Sequence, residues 1–380
     1  MFSYFVEREN FFEFNLMYLM LVGLWPDENW SKIQYNLYKI YEIFIHLQTV
    51  LFLVITGIGI IEHKNGGVTL LLSNLDKSLV AYHFAIKAFF FTAHRNRLRA
   101  LINDILHSGD TVSKDRRQLM IILVIFVTVM CLSVVGTFCI VAQLEFEMPV
   151  EAWMPFDPLK SQMHLALAAQ ILTVLLSPCM CRALAMQGIV CSLTMYICDQ
   201  LIELQQRLRD LTYSQENENS MRQEFHAIVK KHIRMMGYSK SMNDVFTEFF
   251  LVQNLAVTVE LCLNAIMFTL VSIYYHGVQE KKILAPFLGF LLLALLNAYI
   301  FCYLGNELII QSESIALAAY DTSWISWPVD LQKDLLILIR VAQRPYQLSA
   351  GGITMMCIQT FSQALYNGYS IFAVLKDAVN

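Results

Sequence analysis

The positions of the lysines and arginines, relative to seven long apolar stretches, constrain this chain more than any other feature. The stretches cover 33–61, 68–92, 119–142, 163–190, 249–275, 283–304 and 349–375. Each holds roughly 20 residues or more, enough for a helix to cross a hydrocarbon core of ~30 Å. Arg8 and Lys32 precede the first stretch. Arg95, Arg97, Arg99, Lys114, Arg116 and Arg117 follow the second, and Arg207, Arg209, Arg222, Lys230, Lys231, Arg234 and Lys240 follow the fourth. Lys333, Arg340 and Arg344 follow the sixth. The alternate gaps carry only Lys64, then Lys160, then Lys281 and Lys282, with Lys376 in the tail. Cytoplasmic loops collect Lys and Arg, so the N-terminus is expected inside and the C-terminus outside.

The fold class expected is therefore an all-α integral membrane protein of seven transmembrane helices. With 57% hydrophobic and 15% charged residues, the chain has the composition of a polytopic membrane protein. Its net charge of −4 argues against a nucleic-acid partner, which selects a basic face. The N-terminus (Glu7, Glu9, Phe11, Phe12, Glu13) lacks a basic region leading into a short apolar run, so the first span is expected to act as its own insertion signal. Eight of the nine cysteines lie in or at the edge of apolar stretches and Cys198 just inside a basic gap, so no extracellular disulfide is expected.

One domain, 1–380, is expected, with a cytoplasmic tail over 1–32. After the fourth span, Ile197, Leu201, Leu204, Leu208 and Leu211 recur at steps of four and three, the period of a helix with one apolar seam. A polar break at 212–220 separates this helix from a second one through Phe225, Ile228 and Met235, so a cytoplasmic helical hairpin is expected over 191–246. Trp327-Pro328 then precedes Val329, Leu331, Leu335, Leu338 and Ile339, the pattern of a short amphipathic helix with proline in its first turn. Arg344-Pro345 ends it. The seventh element is thus expected to be split into a cytoplasmic half, 328–345, and a membrane half, 349–375, that opens at Ala350-Gly351-Gly352. Leu204 and Leu335 are the residues expected to anchor one subunit to another.

No Gly-rich phosphate loop, metal-ligand pair or nucleophile elbow is present, so no enzyme activity, cofactor or metal site is expected. The information lies in polar residues within the spans. Glu260 and, one turn on, Asn264 share a helix face in the fifth span. They either line a ligand cavity or permeation path, or are satisfied by a neighbouring helix. Lys87 and Arg182, towards the inner ends of their spans, are expected to snorkel to the interface. In the last span Gln359, Gln363, Asn367 and Ser370 form a helical stripe of uncharged hydrogen-bonding groups. Val374 follows one turn beyond, with Lys376 and Asp377 at the outer mouth. Such a stripe is expensive against lipid and belongs against protein or water. Closed by an aliphatic side chain, it suits a water-filled pore with a hydrophobic gate; the alternative is a polar packing seam.

The chain resembles the insect odorant receptors. The resemblance rests on Gly305-Asn306-Glu307-Leu308, Ser314, Ala319-Tyr320, Trp324, Gln343-Arg344-Pro345, Ala350-Gly351, Phe361 and the ending Tyr369-Ser370-Ile371-Phe372-Ala373-Val374-Leu375. Met154-Pro155-Phe156-Asp157 supports it upstream. In motif it covers about the last eighty residues, in architecture the whole chain. It implies an odorant-gated, non-selective cation channel, a heterotetramer with the shared olfactory co-receptor, at the plasma membrane of olfactory sensory neuron dendrites. It also implies a pore lined by Gln363, Asn367, Ser370, Val374 and Asp377, with Val374 at an aliphatic constriction.

The partners implied are a small volatile odorant, co-receptor subunits and membrane lipid. Odorant binding in the outer half of the bundle points to Ser78, Tyr82, Val134, Thr137, Phe138, Thr173, Ser177 and Met267, a mixture of apolar walls and few hydroxyls that suits a small neutral volatile. The co-receptor has a much longer second cytoplasmic loop, so this chain is expected to be a tuning subunit. A gustatory-type receptor channel is the nearest alternative, although its usual Thr-Tyr ending before a Gln-Phe pair is missing. A G-protein-coupled seven-helix receptor is a more distant one, requiring the opposite orientation.

Overall fold

The computed structural model describes residues 11–27, 29–62, 68–144, 146–148, 150–274 and 278–379. A short helix α1 (Glu13–Leu21) comes first, then six long ones: α2 (Lys32–Glu62), α3 (Val68–Leu106), α4 (Lys114–Leu144), α5 (Gln162–Arg209), α6 (Glu218–Tyr274) and α7 (Val278–Tyr320). The amphipathic α8 (Val329–Ala342) and the terminal α9 (Ile358–Val379) complete the chain, joined by a two-stranded ribbon, β1 (Ser349–Ala350) and β2 (Thr354–Met355).

Length sets the shape. At ~1.5 Å per residue, α5 with 48 residues and α6 with 57 run to roughly 70 and 85 Å, about twice what a bilayer needs. Both must project beyond it, and they do so at the basic end, where α5 finishes on Arg207 and Arg209 beside its negative dipole end. At its other end the hydroxyl of Ser161 caps α5 by accepting from the His164 N–H at 3.3 Å. Five of the described helices are long and apolar enough to cross a membrane: α2, α4, α5, α6 and α7. The two further spanning helices, α3 and α9, are shorter of apolar residues. α3 carries Asp76, Lys77 and Lys87, and α9 carries its stripe of amides and hydroxyls.

Most of the core lies where α5, α6, α7 and α8 meet beyond the spans. Leu201, Leu204, Leu208, Phe225, Ile228, Leu308, Leu331 and Leu335 are buried together there. Leu204 and Leu335, expected at a subunit interface, are 0% and 2% exposed within the protomer's own core. The seam is real, but it closes on this chain. The faces that α8 and the turn before it leave outward are those of Ile325, Val329, Leu336 and Ile337. A second, smaller core at the opposite end joins Phe52, Ile55, Ala81, Leu165, Ala168 and Leu172, with Met148 and Ala152 from the loop above them.

Two parts differ from the sequence expectation. The segment before the first span is no free tail. Phe11, Phe12 and Leu19 enter the main core, and buried Asn15 donates to the Ser192 hydroxyl. The final span also begins at Ile358, because 349–355 turns back as the β1–β2 ribbon. Gly351 and Gly352 take φ of +63° and +69° in that turn, values only glycine adopts freely. The ribbon is tied to α6, with Gly351 N–H donating to the Thr247 carbonyl at 2.9 Å and Ser349 N–H to Asn243 Oδ1 at 2.7 Å. Gly305 of α7 meets the same segment: a Cβ there would lie 2.1 Å from the Met356 carbonyl oxygen.

Candidate ligand seam and pore helix

A line of buried polar residues runs between α3 and α6. On α3, Asp76, His83 and Lys87 are spaced by seven and four; on α6, Gln253, Glu260 and Asn264 are spaced by seven and four. Both spacings hold residues on one helix face. All six are buried, none more than 8% exposed. Lys87 donates to Gln253 Oε1, and its ammonium stands 4.4 Å from the centre of the Phe249 ring and 5.6 Å from that of Phe301. It is therefore an internal residue, contrary to the snorkelling expected of it. Its stem has no lipid face to run along.

Asn264 Nδ2 donates to the Glu260 carbonyl at 2.8 Å. Glu260 Oε2, Asn264 Oδ1 and both ring nitrogens of His83 have no hydrogen-bonding partner among the described residues. Buried polar atoms in that condition cost about 1–3 kcal/mol each until something satisfies them. The seam is thus built to gain from a small polar group brought to it. Met267, one turn beyond Asn264 on the same face and 1% exposed, adds an apolar wall.

The other residues expected in a pocket do not converge on this seam. Ser78 is buried on the face of α3 that also carries Ala81 of the smaller core. The Tyr82 hydroxyl donates to the Leu53 carbonyl of α2 at 2.8 Å, so it too is turned towards α2. Val134 is half-buried near Gly289 of α7. Thr137, Thr173 and Ser177 are exposed, and Thr173 bonds back to the Ala169 carbonyl. The Phe138 side chain lies outside the described residues. His83 escaped the sequence reading, although its spacing from Lys87 was the available signal.

On α9, one turn being 3.6 residues, Gln363, Asn367, Ser370, Val374 and Asp377 fall within a sector of roughly 80°. Gln363 Nε2 donates to Asn367 Oδ1 at 2.9 Å. Gln363, Asn367 and Asp377 are exposed on the protomer, Val374 is 68% exposed and Ser370 is partly so. The opposite side packs inward: Phe361 meets Tyr299 of α7 with ring centres 5.5 Å apart, and Gly368 lies against Leu261 of α6. The helix is thus held by one face and bare along its polar one. Among the described residues no group of His, Cys, Asp and Glu is disposed to hold a metal ion.

Residues 67–369 match the family described as 7tm Odorant receptor. The chain belongs to this family. Odorant receptor 30a of Drosophila melanogaster is 29% identical over 196 residues, 52% of this chain and 50% of that one. Odorant receptor 10 of Aedes albopictus is 28% identical over 210 residues, 54% of each. The matched segment thus spans about half the length of these relatives. In structure, the fold is similar along its whole length to the olfactory receptor OR5 from Machilis hrabei in complex with eugenol, with a TM-score of 0.77 and 14% identity over 100% of both chains. The same receptor described without eugenol gives 0.75 over 96% of each. This odorant receptor is therefore a multi-pass membrane protein of the seven-helix insect olfactory fold, and its relatives are receptors rather than enzymes.

Proposed function

We propose that this odorant receptor is the tuning subunit of a ligand-gated, non-selective cation channel. It is opened by a small volatile molecule and assembled with olfactory co-receptor subunits in the plasma membrane of sensory dendrites. The observation that carries the reading is the bare polar face of α9. A spanning helix with exposed Gln363 and Asn367 is unstable against lipid, so other subunits must enclose that face around water. Val374 on the same face then supplies the apolar ring that keeps a closed path dry. The basic ends of the helices lie in the cytoplasm, and the exposed Ile325, Val329, Leu336 and Ile337 supply apolar surface for subunit contact there.

The odorant's polar group is read at the α3–α6 seam, where Glu260, Asn264 and His83 offer both donors and acceptors against Met267. The eugenol complex of the Machilis receptor supports the class of ligand, a small volatile with one polar end. Whole-cell current in response to a panel of volatiles tests the reading. Current is expected only when the chain is expressed with a co-receptor; a response carried without any channel partner, through a second messenger, overturns it.

A further inference from the structure

A cavity lies away from the seam, between α2, α3 and α5 near their basic ends. Its volume is about 440 Å³, in the range of small-ligand sites. His46, Val50 and Leu53 line it from α2, Ala85 and Phe89 from α3, and Arg182 from α5. It opens outward from the bundle, since Val50 is 55% and Phe89 68% exposed. Arg182, by contrast, is 2% exposed. Its Nε donates to the Val22 carbonyl at 2.9 Å, Nη2 to the Gly23 carbonyl at 3.3 Å, and Nη1 stands 3.1 Å from His46 Nδ1. Those bonds use three of five N–H donors and, among the described residues, place no carboxylate on the guanidinium. The expected snorkelling is thus replaced by a fixed cation at the head of a cleft.

The cleft is graded along its length. Beyond the lining itself, one and two turns from His46 towards the start of α2, Glu42 and Lys39 follow on the same helix face, and Lys39 and Arg95 share the Glu42 carboxylate at 2.7 and 2.8 Å. Two cations thus share one anion there, and Arg182 adds a third positive charge at the head of the cleft. Deeper in, the walls are Val50, Leu53, Ala85 and Phe89. From Arg95 to Ala85 the helix rises about 15 Å, the depth of one leaflet of hydrocarbon. A molecule with an anionic head and a long apolar chain, standing with its head at the interface, matches both the charge and the depth. We propose that this cleft is a binding site for one anionic phospholipid of the leaflet facing the basic ends, its phosphate against Arg182, His46 and Lys39 and one acyl chain between α2 and α3. Only the naming of that leaflet as cytoplasmic rests on the orientation proposed above. The chemistry of recognition is independent of it.

The test is lipid retention by the full chain, purified from nanodiscs of equimolar phosphatidylglycerol and phosphatidylcholine and quantified by mass spectrometry after detergent exchange. About one phosphatidylglycerol per chain is expected to remain, enriched roughly tenfold over phosphatidylcholine, a ratio equivalent to about 1.4 kcal/mol. Val50→Trp, at an outward-facing position, should fill the mouth and abolish retention without lowering the unfolding temperature. Lys39→Gln should keep a lipid but lose most of the preference for the anionic head. Equal retention of both lipids by the wild type, or undiminished phosphatidylglycerol in a folded Val50→Trp, overturns the proposal. Because a nanodisc exposes both faces alike, a wrong orientation cannot produce either result.

Discussion

The basic ends of the bundle and the seam between α3 and α6 both bury charge, but they satisfy it differently. At the basic ends Asp110 receives two bonds from Arg234 at 2.7 Å and lies 3.3 Å from Lys231. Nearby, Arg207 meets Glu224 at 2.7 Å, and Arg222 joins Glu218 and Asp330. In the seam, Lys87 finds a neutral amide and three rings, while Glu260, Asn264 and His83 keep unbonded atoms. In the first region each charge has a counter-charge, although Arg234 Nε keeps no hydrogen-bonding partner among the described residues; in the second, the carboxyl, the amide and the imidazole each keep an unbonded atom, which costs stability until another group completes them. The comparison teaches where rigidity and responsiveness reside. The first region fastens the helices outside the spans, and the second is where a ligand has most to contribute.

The largest effect should come from breaking the fastened region at its tightest backbone contact. Gly305→Ala would set a methyl group 2.1 Å from the Met356 carbonyl oxygen, with main chain on both sides. Overpacking of this kind costs typically 1–3 kcal/mol, and more where backbone must move. Surface labelling of a tagged Gly305→Ala receptor should fall severalfold below wild type. Normal surface level and melting temperature would show that α7 and the ribbon are less rigidly joined than the contact implies.

Next comes the ion cluster itself. Burial alone would raise the Asp110 carboxyl, but Lys231 and Arg234 outweigh it and hold the group below the usual carboxylate range. Its stabilising contribution is then complete above the unfolded value of about 3.9 and is lost as pH falls through the lower folded value. Asp110→Asn removes one of the two carboxylates on Lys231 and leaves Glu203 at 2.8 Å, so the loss is that of hydrogen bonds to a charged group, about 1.5–3 kcal/mol. Melting of the purified wild type should show a loss of stability as pH drops below about 4. The variant should melt lower at neutral pH and lack that acid step. A variant with the same acid step would assign the titration to other carboxylates.

How much of this was legible from sequence differs between the same two regions. Length and hydropathy decide five of the described spans, whereas α3 and α9 carry too many polar groups for that criterion alone, and the 197–211 and 331–339 periods marked apolar seams whose residues are buried. What covers a seam is a tertiary fact, and Leu204 and Leu335 turned out to pack on their own chain. The α1 helix escaped because its acidic, aromatic stretch has little periodicity, and Phe12 and Asn15 acquire meaning only against α5. The ribbon at 349–355 escaped because Gly351-Gly352 marks a break in the helix but not a return of the chain, and Thr247 and Asn243, a hundred residues away, hold it. In the spans, helices apolar on every side do not reveal which way Lys87 and Arg182 point. Pairing α3 with α6 brings matched spacings of seven and four together, and only then does the seam emerge.

That seam supplies an intermediate effect. Glu260→Gln keeps the shape while removing the ionisable oxygen, and Met267→Ala enlarges the wall beside it. If the seam reads odorants, both should reach the surface at near wild-type levels and shift relative potency across a volatile panel by about tenfold, equivalent to about 1.4 kcal/mol. An unchanged order of potency at normal expression would move the ligand elsewhere, most directly to the side of α3 that carries Ser78 and Tyr82.

The smallest and most diluted effect is expected at α9. Val374, 68% exposed on the protomer, contributes only this chain's share of any ring in the proposed channel, where co-receptor subunits would supply the rest. A hydroxyl in place of an isopropyl group lowers the cost of wetting a narrow apolar passage, so Val374→Ser should raise resting current modestly when expressed with the same co-receptor. Asp377, at the exposed end, acts through a field that physiological salt screens within about 8 Å. Asp377→Asn should therefore change divalent block or relative cation permeability by less than Val374→Ser changes leak. The order of the two effects is itself informative, since it places the constriction before the mouth along the helix. If both variants match wild type in leak and permeability while still responding to odorant, the polar face of α9 packs against a neighbouring subunit and the narrow part of the pore is lined by other chains.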